Sequence, residues 1–344
     1  MSNRGCCCAE SACCGMDTSK NVVPVVSSTL TFKDYFGACK VRWGISRMNY
    51  SVEPGLYAVG HPDENSPVLV SANYKLTFDT LRKNLPGLDC WLMILDTKGV
   101  NVWCAAGKGT FGTEELLRQI DETGLAEVVT HRRLILPQLG APGVNSNEIA
   151  QRSGFSVSFG PVRAEDIKAY IAAGYKATKE MRAVRFTTWD RLVLTPMELM
   201  EAAKVSLKVF GVLFLINMFA TRPFGIKDFL AYAAAVLIGS VITPVLLPFI
   251  PGKAFAFKGW LLGVVGVSCI ALVYGWFTPS FLLLGIGYML VLPACSAFWT
   301  MNFTGASTYT SPSGVLKEMT FAVPCIVLSL LAGVILILTK TYTG

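Results

Sequence analysis

The sequence predicts an α/β domain with a Rossmann-like sheet, followed by an all-α transmembrane domain of five helices. Of its 344 residues, 52% are hydrophobic, and the mean hydropathy of +0.49 is too high for an ordinary soluble protein. Apolar runs long enough to cross a bilayer begin only after about residue 204. Before that point, short apolar runs alternate with helical patterns, which is typical of a sheet covered by helices.

Residues 1–28 are predicted to form a flexible, cysteine-rich tail. The tail lacks the apolar segment of a secretory signal peptide, so we expect the next domain to stay in the cytoplasm, where thiols remain reduced. The 11 cysteines are therefore interpreted as ligands, nucleophiles or core residues. The tail thiols either capture a soft cation or belong to a disordered segment, and both interpretations stay open. They are Cys6, Cys7, Cys8, Cys13 and Cys14.

Residues 29–190 are predicted to be the α/β domain, because strand and helix patterns alternate along them. The candidate strands are Gly55–Val59, Pro67–Ala72, Trp91–Leu95, Asn101–Ala105, Leu134–Leu136 and Ser156–Phe159. The candidate helices are Leu76–Leu85, Thr113–Glu122, Asn147–Arg152 and Ala164–Ala173. Residues 191–203 are predicted to be a helical linker that starts at Thr195 and Pro196, a capping residue followed by a proline suited to the first helical position.

Residues 204–344 are predicted to be the transmembrane domain. The five spans are 204–221, 227–250, 256–277, 280–300 and 320–339. With the α/β domain in the cytoplasm, the inner flanks carry more lysines than the outer ones, which favours a multi-pass protein of the inner (cytoplasmic) membrane. The spans hold almost no ionisable groups, which favours an anchor over an ion-coupled transporter, although their prolines leave transport open.

Charge divides the chain at the same point. Residues 204–344 contain 8 of the 30 Lys and Arg residues and 2 of the 23 Asp and Glu residues, so the positive excess belongs to the membrane flanks. The rest of the chain is nearly neutral. Nucleic-acid binding needs a clustered basic face, and we therefore expect no nucleic-acid partner.

One cysteine of the α/β domain differs from the others by its position. Cys104 is predicted to end a strand, where α/β folds place their ligands, and the glycine-rich segment 107–112 follows it. This segment lacks the spacing of a phosphate loop. Only His61 and His131 are present, without a zinc spacing or a clear orienting group for acyl transfer. Cys104 is thus a candidate nucleophile or soft-metal ligand beside a large flat ligand, and a buried inert thiol is the alternative.

The segment 101–108 closely resembles the signature of the HgcA family, the corrinoid proteins of microbial mercury methylation. The resemblance covers most of residues 40–340. It includes Arg47–Tyr50, Pro54–Tyr57, Ser71–Phe78, Leu95–Gly99, Leu136–Gly143 and Gly160–Ala164. The α/β domain is also more distantly similar to the corrinoid-binding domain of the corrinoid iron–sulfur protein large subunit of the acetyl-CoA pathway.

The resemblance implies a corrinoid-binding α/β domain in which Cys104 is an axial ligand of cobalt. The usual D-x-H-x-x-G corrinoid motif is absent, which agrees with a cysteine in that role. The implied activity is that of a methyltransferase, which passes a methyl group from the cysteine-ligated methyl-cobalt corrinoid to Hg(II) and forms methylmercury. The implied cofactor-binding residues are Asn73, Tyr74, Thr77, Asn101, Val102, Trp103, Ala105, Ala106, Gly107, Lys108, Gly109, Thr110, Gln138, Leu139, Gly140 and Ala141.

The resemblance also implies partners. They are a ferredoxin-like 4Fe–4S protein of the HgcB type as reductant and candidate Hg(II) donor, a methyl donor from the folate one-carbon pathway, and membrane lipid. The tail cysteines become candidates for Hg(II) capture. Two other functions stay open: a corrinoid methyl carrier of one-carbon metabolism, and a membrane scaffold or transporter with a docking domain.

Overall fold

The computed structural model describes residues 23–221 and 223–343. Within them lies a mixed sheet with the strand order β1-β2-β4-β3-β5-β6. The strands are β1 (Val25–Val26), β2 (Gly55–Val59), β3 (Val68–Ala72), β4 (Cys90–Leu95), β5 (Arg133–Leu136) and β6 (Ser156–Phe159). The last four run parallel to one another, and β2 is antiparallel to β4. The carboxyl ends of β3 to β6 therefore lie at one edge of the sheet.

Among the described residues, every helix longer than 12 residues begins at residue 188 or later. They are α1 (Phe32–Arg42), α2 (Lys75–Arg82), α3 (Val102–Lys108), α4 (Thr113–Glu122), α5 (Leu125–Val128), α6 (Ser146–Ser153), α7 (Ile167–Ala172), α8 (Lys179–Arg182), α9 (Thr188–Asn217), α10 (Ile226–Leu237), α11 (Thr243–Leu246), α12 (Phe255–Tyr274), α13 (Leu282–Asn302) and α14 (Pro312–Thr343). A π-helical turn, Ile238–Ile242, joins α10 to α11.

The chain divides into two compact units. The α/β unit consists of residues 51–177 and the described residues up to 30, and the helical unit consists of residues 31–50 and 178 onward. The predicted domain 29–190 is therefore divided differently, because α1 packs against α9 in the helical unit. Sequence patterns alone do not reveal such a long-range association.

The core of the α/β unit is built from large aliphatic side chains. Every residue of β3 is buried, as expected for a parallel strand covered on both faces. Val70, Met93 and Leu134 from neighbouring strands pack in one cluster with Leu116 of α4 and Ile149 of α6. The predicted α/β architecture is confirmed, and the strand boundaries of β2 and β6 match the predicted ones.

The predicted strand Asn101–Ala105 is wrong, because these residues begin α3 instead. Asn101 is an N-cap: its side-chain oxygen accepts a hydrogen bond from the Cys104 N–H at 2.9 Å. Gly109 ends the helix in the left-handed region, with φ of 80°. The two caps, which flank a helix of seven residues, thus override the short apolar pattern that suggested a strand.

The predicted helix start at Thr195 is also wrong, because α9 begins at Thr188. Thr187 and Asp190 form a capping box there. Pro196 lies inside the helix and cannot donate to the carbonyl of Leu192. The Thr195 hydroxyl donates to that carbonyl at 2.9 Å, which lets the helix continue.

Four helices of the described residues are long and apolar enough to cross a membrane. They are Ile226–Phe249, Phe255–Tyr274, Leu282–Ala306 and Ser313–Tyr342. They are compatible with membrane insertion and correspond to the last four predicted spans. The first predicted span, 204–221, is not among them and stays a prediction. Most of it lies in α9, where Lys204 and Lys208 interrupt the apolar sequence.

Candidate functional site

Three of the predicted site segments meet at the carboxyl edge of the sheet. Asn73 follows β3, the segment 96–110 follows β4, and the third segment, Gln138–Gly143, begins shortly after β5. Because β3 lies between β4 and β5 and runs parallel to both, the segments emerge next to one another. This edge is where open α/β sheets bind ligands.

Cys104 lies in the first turn of α3. Val102, Ala105 and Ala106 of this helix are buried in the α/β core. On its other side the Trp103 side chain is 53% exposed, Cys104 is half-buried and Gly107 is exposed. The helix therefore presents one thiol, with an aromatic ring beside it and a residue without a side chain one turn later.

The open surface next to Cys104 follows from Gly107. A Cβ atom built at this position would meet no other atom within 4 Å, so packing does not require glycine there. Glycine in a helix interior costs about 1 kcal/mol relative to alanine. A flat ligand lying against the helix backbone would account for a glycine at this position.

Asn73 holds the segment that carries α3. Its buried side-chain oxygen accepts hydrogen bonds from the Thr97 N–H at 3.1 Å, the Thr97 hydroxyl at 2.9 Å and the Gly99 N–H at 3.0 Å. Its amide nitrogen donates to Asp96 at 3.1 Å. Asn73 is therefore a positioning residue for Cys104, because its side-chain hydrogen bonds are made to the turn that precedes α3.

The turn between β4 and α3 is unusual in its backbone and its charges. Lys98 and Gly99 both have positive φ, and the Lys98 ammonium is ion-paired with Asp96. Burial raises the pKa of the Asp96 carboxyl, but hydrogen bonds and charge from Lys98, together with the Asn73 amide, outweigh it and hold that pKa below its usual value. The Asp96 N–H donates to Glu115 at 2.7 Å. Asp96, Thr97, Lys98 and Glu115 are thus part of the support that the sequence prediction of the site omitted.

The glycines of the third segment serve packing within the protein. Residues Gln138–Gly143 form a 3₁₀ turn against α3. A Cβ atom at Gly140 would overlap the Phe111 ring, and one at Gly143 would overlap the Phe111 carbonyl and crowd Ala106. Packing within the protein therefore explains these two glycines, and their predicted role in ligand binding stays a prediction.

The predicted cofactor-binding residues fall into three groups. Exposed ones are Trp103, Gly107, Lys108 and Gly109; half-buried ones are Thr77, Asn101, Thr110, Gln138, Leu139 and Ala141; buried ones are Asn73, Tyr74, Val102, Ala105, Ala106 and Gly140. Ala105 has no exposed surface at all. The residues of the buried group pack inside the α/β unit, and the other two groups are available for contact.

Other cysteines and histidines of the described residues do not join this site. Burial, followed by the charge of Asp89, raises the pKa of the Cys90 thiol to about 12, so that thiol is inert. His131 precedes β5 and contacts the Ser66 carbonyl at 2.9 Å, at the opposite edge from Cys104. Residues 23–221 and 223–343 contain no cluster of three His, Cys, Asp or Glu side chains that could hold a metal ion. The tail cysteines, Cys6, Cys7, Cys8, Cys13 and Cys14, lie outside the described residues.

Comparison with known proteins gives this geometry a context. Residues 44–171 match the model of the family described as the CO dehydrogenase/acetyl-CoA synthase delta subunit (CdhD). The match thus covers most of the α/β unit and excludes the apolar helices. The predicted similarity to a protein of acetyl-CoA metabolism is confirmed at this level.

Curated relatives carry the name acetyl-CoA decarbonylase/synthase complex subunit gamma. The protein from Methanocaldococcus jannaschii is 39% identical over 116 residues, which are 33% of this chain and 23% of the relative. The protein from Methanopyrus kandleri is 35% identical over 122 residues, 35% of this chain and 26% of the relative. The protein from Methanothermobacter thermautotrophicus is 35% identical over 127 residues, 36% and 27% respectively. The chain therefore spans about a quarter of the length of these relatives.

Proposed function

We propose that this protein is a membrane-anchored, corrinoid-dependent methyltransferase whose α/β unit holds the cofactor through Cys104 and whose methyl acceptor is Hg(II). The single observation that carries the proposal is the half-buried Cys104 thiol on a capped helix at the carboxyl edge of the sheet. The relatives support methyl-transfer chemistry of the acetyl-CoA pathway, and the resemblance of the cysteine segment supports the mercury acceptor.

The residues of the site fit a corrinoid by their shape and their chemistry. A thiolate is a soft ligand that suits a transition metal already held in a macrocycle. The surface beside Cys104 is open at Gly107, where no atom lies within 4 Å of a built Cβ. Thr77, Trp103 and Gln138 would contact the ligand around the thiol. Their side chains are exposed or half-buried at the same edge.

The protein would position and tune the Cys104 sulfur that would hold the corrinoid. Asn101 fixes the first turn of α3 through the Cys104 N–H, and Asn73 fixes the turn before it. Such supporting groups set the orientation of a metal ligand and its electron donation. When bound, a corrinoid would supply methyl-transfer chemistry at Cys104 with Hg(II) as the acceptor. Electrons would come from a ferredoxin-like 4Fe–4S protein of the HgcB type, and the methyl group from the folate pathway. The anchor would keep this chemistry at the cytoplasmic membrane.

The experiment is an assay of methylmercury formation by the purified, corrinoid-loaded full-length protein with Hg(II) and a chemical reductant. Cys104→Ala should lower the rate by more than about 100-fold, since even outer partners of metal ligands contribute about 10–100-fold. Alanine favours a helix, so α3 should still form. Cys39→Ala removes an exposed thiol of α1 in the helical unit and is the matched control. Equal rates in the Cys104→Ala variant and the wild type would contradict the assignment.

A second candidate function is that of a corrinoid methyl carrier that passes its methyl group to another protein. The observation that favours it is the similarity to proteins named acetyl-CoA decarbonylase/synthase complex subunit gamma. The same assay separates the two. A loaded protein that forms no methylmercury, yet loses its methyl group to an acetyl-CoA synthase preparation, would be a carrier.

A further inference from the structure

The helical unit contains a cavity of about 1030 Å³ between α12, α13 and α14. This volume is at the upper end of the range for small-molecule sites, roughly 300–1,000 Å³. On α14 the lining residues run from Gly314 through Lys317, Phe321 and Cys325 to Ser329, at steps of three or four positions. They form one stripe of the helix. From Gly314 to Ser329 the helix rises by fifteen steps, about 22 Å, which is most of the roughly 30 Å hydrocarbon core of a bilayer.

The lining changes from polar to apolar along this stripe. At one end lie Lys253, Lys317, Glu318 and the segment 308–311. At the other end the walls are Trp260, Phe321, Ile326 and small residues of α13. A ligand that matches this gradient has a polar head and a long apolar tail.

The shape of the apolar end comes from the sizes of its side chains. Ala294 and Ala297 of α13 form a recessed back wall, because an alanine leaves room that a larger residue would fill. Trp260 and Phe321 stand at the sides and remain 44% and 69% exposed. The recess therefore opens sideways between α12 and α14, toward the surface that lipid would cover.

The polar end carries an excess of positive charge. The Glu318 carboxylate accepts a hydrogen bond from the Ala256 N–H at 2.6 Å and so engages the first turn of α12. In the described part of the chain, neither Lys253 nor Lys317 forms an ion pair with a carboxylate. Two ammonium groups at one mouth favour an anionic head, and the predicted orientation would place them at the anionic cytoplasmic leaflet.

We propose that this cavity is a binding site for one anionic phospholipid. The phosphate of its headgroup contacts Lys253 and Lys317, and one acyl chain lies against Trp260 and Phe321 in the recess of α13. A second copy of this chain would have to place an apolar helix over both lysines, which desolvation disfavours. The site is independent of the corrinoid, because all its residues lie in the helical unit.

The test is native mass spectrometry of the full-length protein released from nanodiscs that contain equal amounts of phosphatidylglycerol and phosphatidylcholine. We expect one phosphatidylglycerol to stay bound per chain. The double variant Lys253→Gln, Lys317→Gln should weaken its retention by about 30-fold, the change expected from two lysines at an anionic interface. The matched control, Lys204→Gln with Lys208→Gln, removes the same charge from α9 outside the cavity and should retain the lipid.

A third variant tests the acyl chain rather than the head. Cys325 is exposed on the lining stripe, so Cys325→Trp fills the cavity without touching the buried packing of α13. It should reduce retention of both lipids. Retention without a headgroup preference, or retention unchanged by the lysine pair and by Cys325→Trp, would overturn the proposal. A dimer that forms through the groove and excludes lipid would also overturn it.

Discussion

The interiors of the two units are packed differently, although large side chains such as Leu292 and Phe303 are also buried in the helical unit. In the α/β unit, large aliphatic side chains such as Leu92 and Ile94 fill the core and have no exposed surface. In the helical unit the closest contacts involve glycine and hydroxyl residues, while large side chains such as Leu207 (75% exposed) point outward. Water drives large apolar groups inward. For helices that face lipid no such drive exists and close backbone packing is the stabilising term, which is compatible with the four helices that are apolar enough to cross a membrane.

Buried polar groups follow the same division. In the helical unit, the Ser296 hydroxyl donates to the Ala235 carbonyl at 2.8 Å and the Thr300 hydroxyl to the Gly239 carbonyl at 2.9 Å. These bonds join helices. In the α/β unit, Asn73 organises a turn at the exposed edge. Buried polar groups thus connect helices in one unit and support the turn that carries Cys104 in the other.

The largest effect on stability is expected from Asn73→Ala. The change leaves the N–H groups of Thr97 and Gly99 without their acceptor, which should cost about 2–4 kcal/mol, while the Thr97 hydroxyl can still donate to the Val100 carbonyl. Hydrogen exchange of the full-length protein should show faster exchange in α3 and unchanged exchange in α12. Asn73→Asp keeps the acceptor oxygen but replaces the amide that donates to Asp96 with a second carboxylate oxygen, so it should also destabilise the turn. If α3 exchanged no faster in the variant than in the wild type, the turn would not depend on Asn73.

Gly259→Ala tests the close packing of the helical unit. Its Cβ atom would overlap the Thr300 hydroxyl and lie 2.6 Å from the Ser296 carbonyl oxygen, so α12 and α13 must separate at a cost of about 1–3 kcal/mol. Gly211→Ala is the matched control, because that position of α9 has no neighbour within 4 Å of the new atom. Thermal unfolding in detergent should show a lower midpoint for Gly259→Ala only. A similar midpoint for both variants would contradict the packing role.

Gly107→Ala should separate folding from cofactor binding. The added methyl meets no protein atom, and alanine in a helix is favoured over glycine by up to about 1 kcal/mol, so the cofactor-free fold should become slightly more stable. The same methyl would stand between α3 and a flat ligand and should weaken corrinoid retention. Equilibrium dialysis with corrinoid, together with chemical denaturation, measures both. Unchanged retention would show that the ligand does not approach Gly107.

The smallest effect is expected from Asp96→Asn, in the way that the free energy of unfolding depends on pH at acidic pH. Because the pKa of Asp96 is lowered in the folded state, its contribution is fully present above the ordinary value of 3.8 and is lost as the pH falls through the folded pKa. The difference in stability between the wild type and Asp96→Asn should thus be constant from pH 7 to about 5 and shrink below about 4. Denaturation of both proteins across that range provides the measurement. A difference that grows at low pH would contradict the sign.

The sequence predicts the architecture better than the details of the site. Strands such as Gly55–Val59 and the last four spans follow from hydrophobic patterns that reflect burial along a single element. The conformation of Cys104 depends instead on the Asn101 side chain, one hydrogen bond that a pattern does not encode. The partners of Asn73 lie 24 and 26 residues away. The lipid cavity depends on how three helices align, and no local signal indicates it.

The central claim is that Cys104 is the axial ligand of a corrinoid. The most direct test compares the visible absorption spectrum and the cobalt content of the purified, corrinoid-reconstituted protein with those of Cys104→Ala and Cys39→Ala. We expect near-stoichiometric cobalt in the wild type, an unchanged spectrum in Cys39→Ala and an altered spectrum in Cys104→Ala. No cobalt after reconstitution, or the same spectrum with and without the Cys104 thiol, would contradict it.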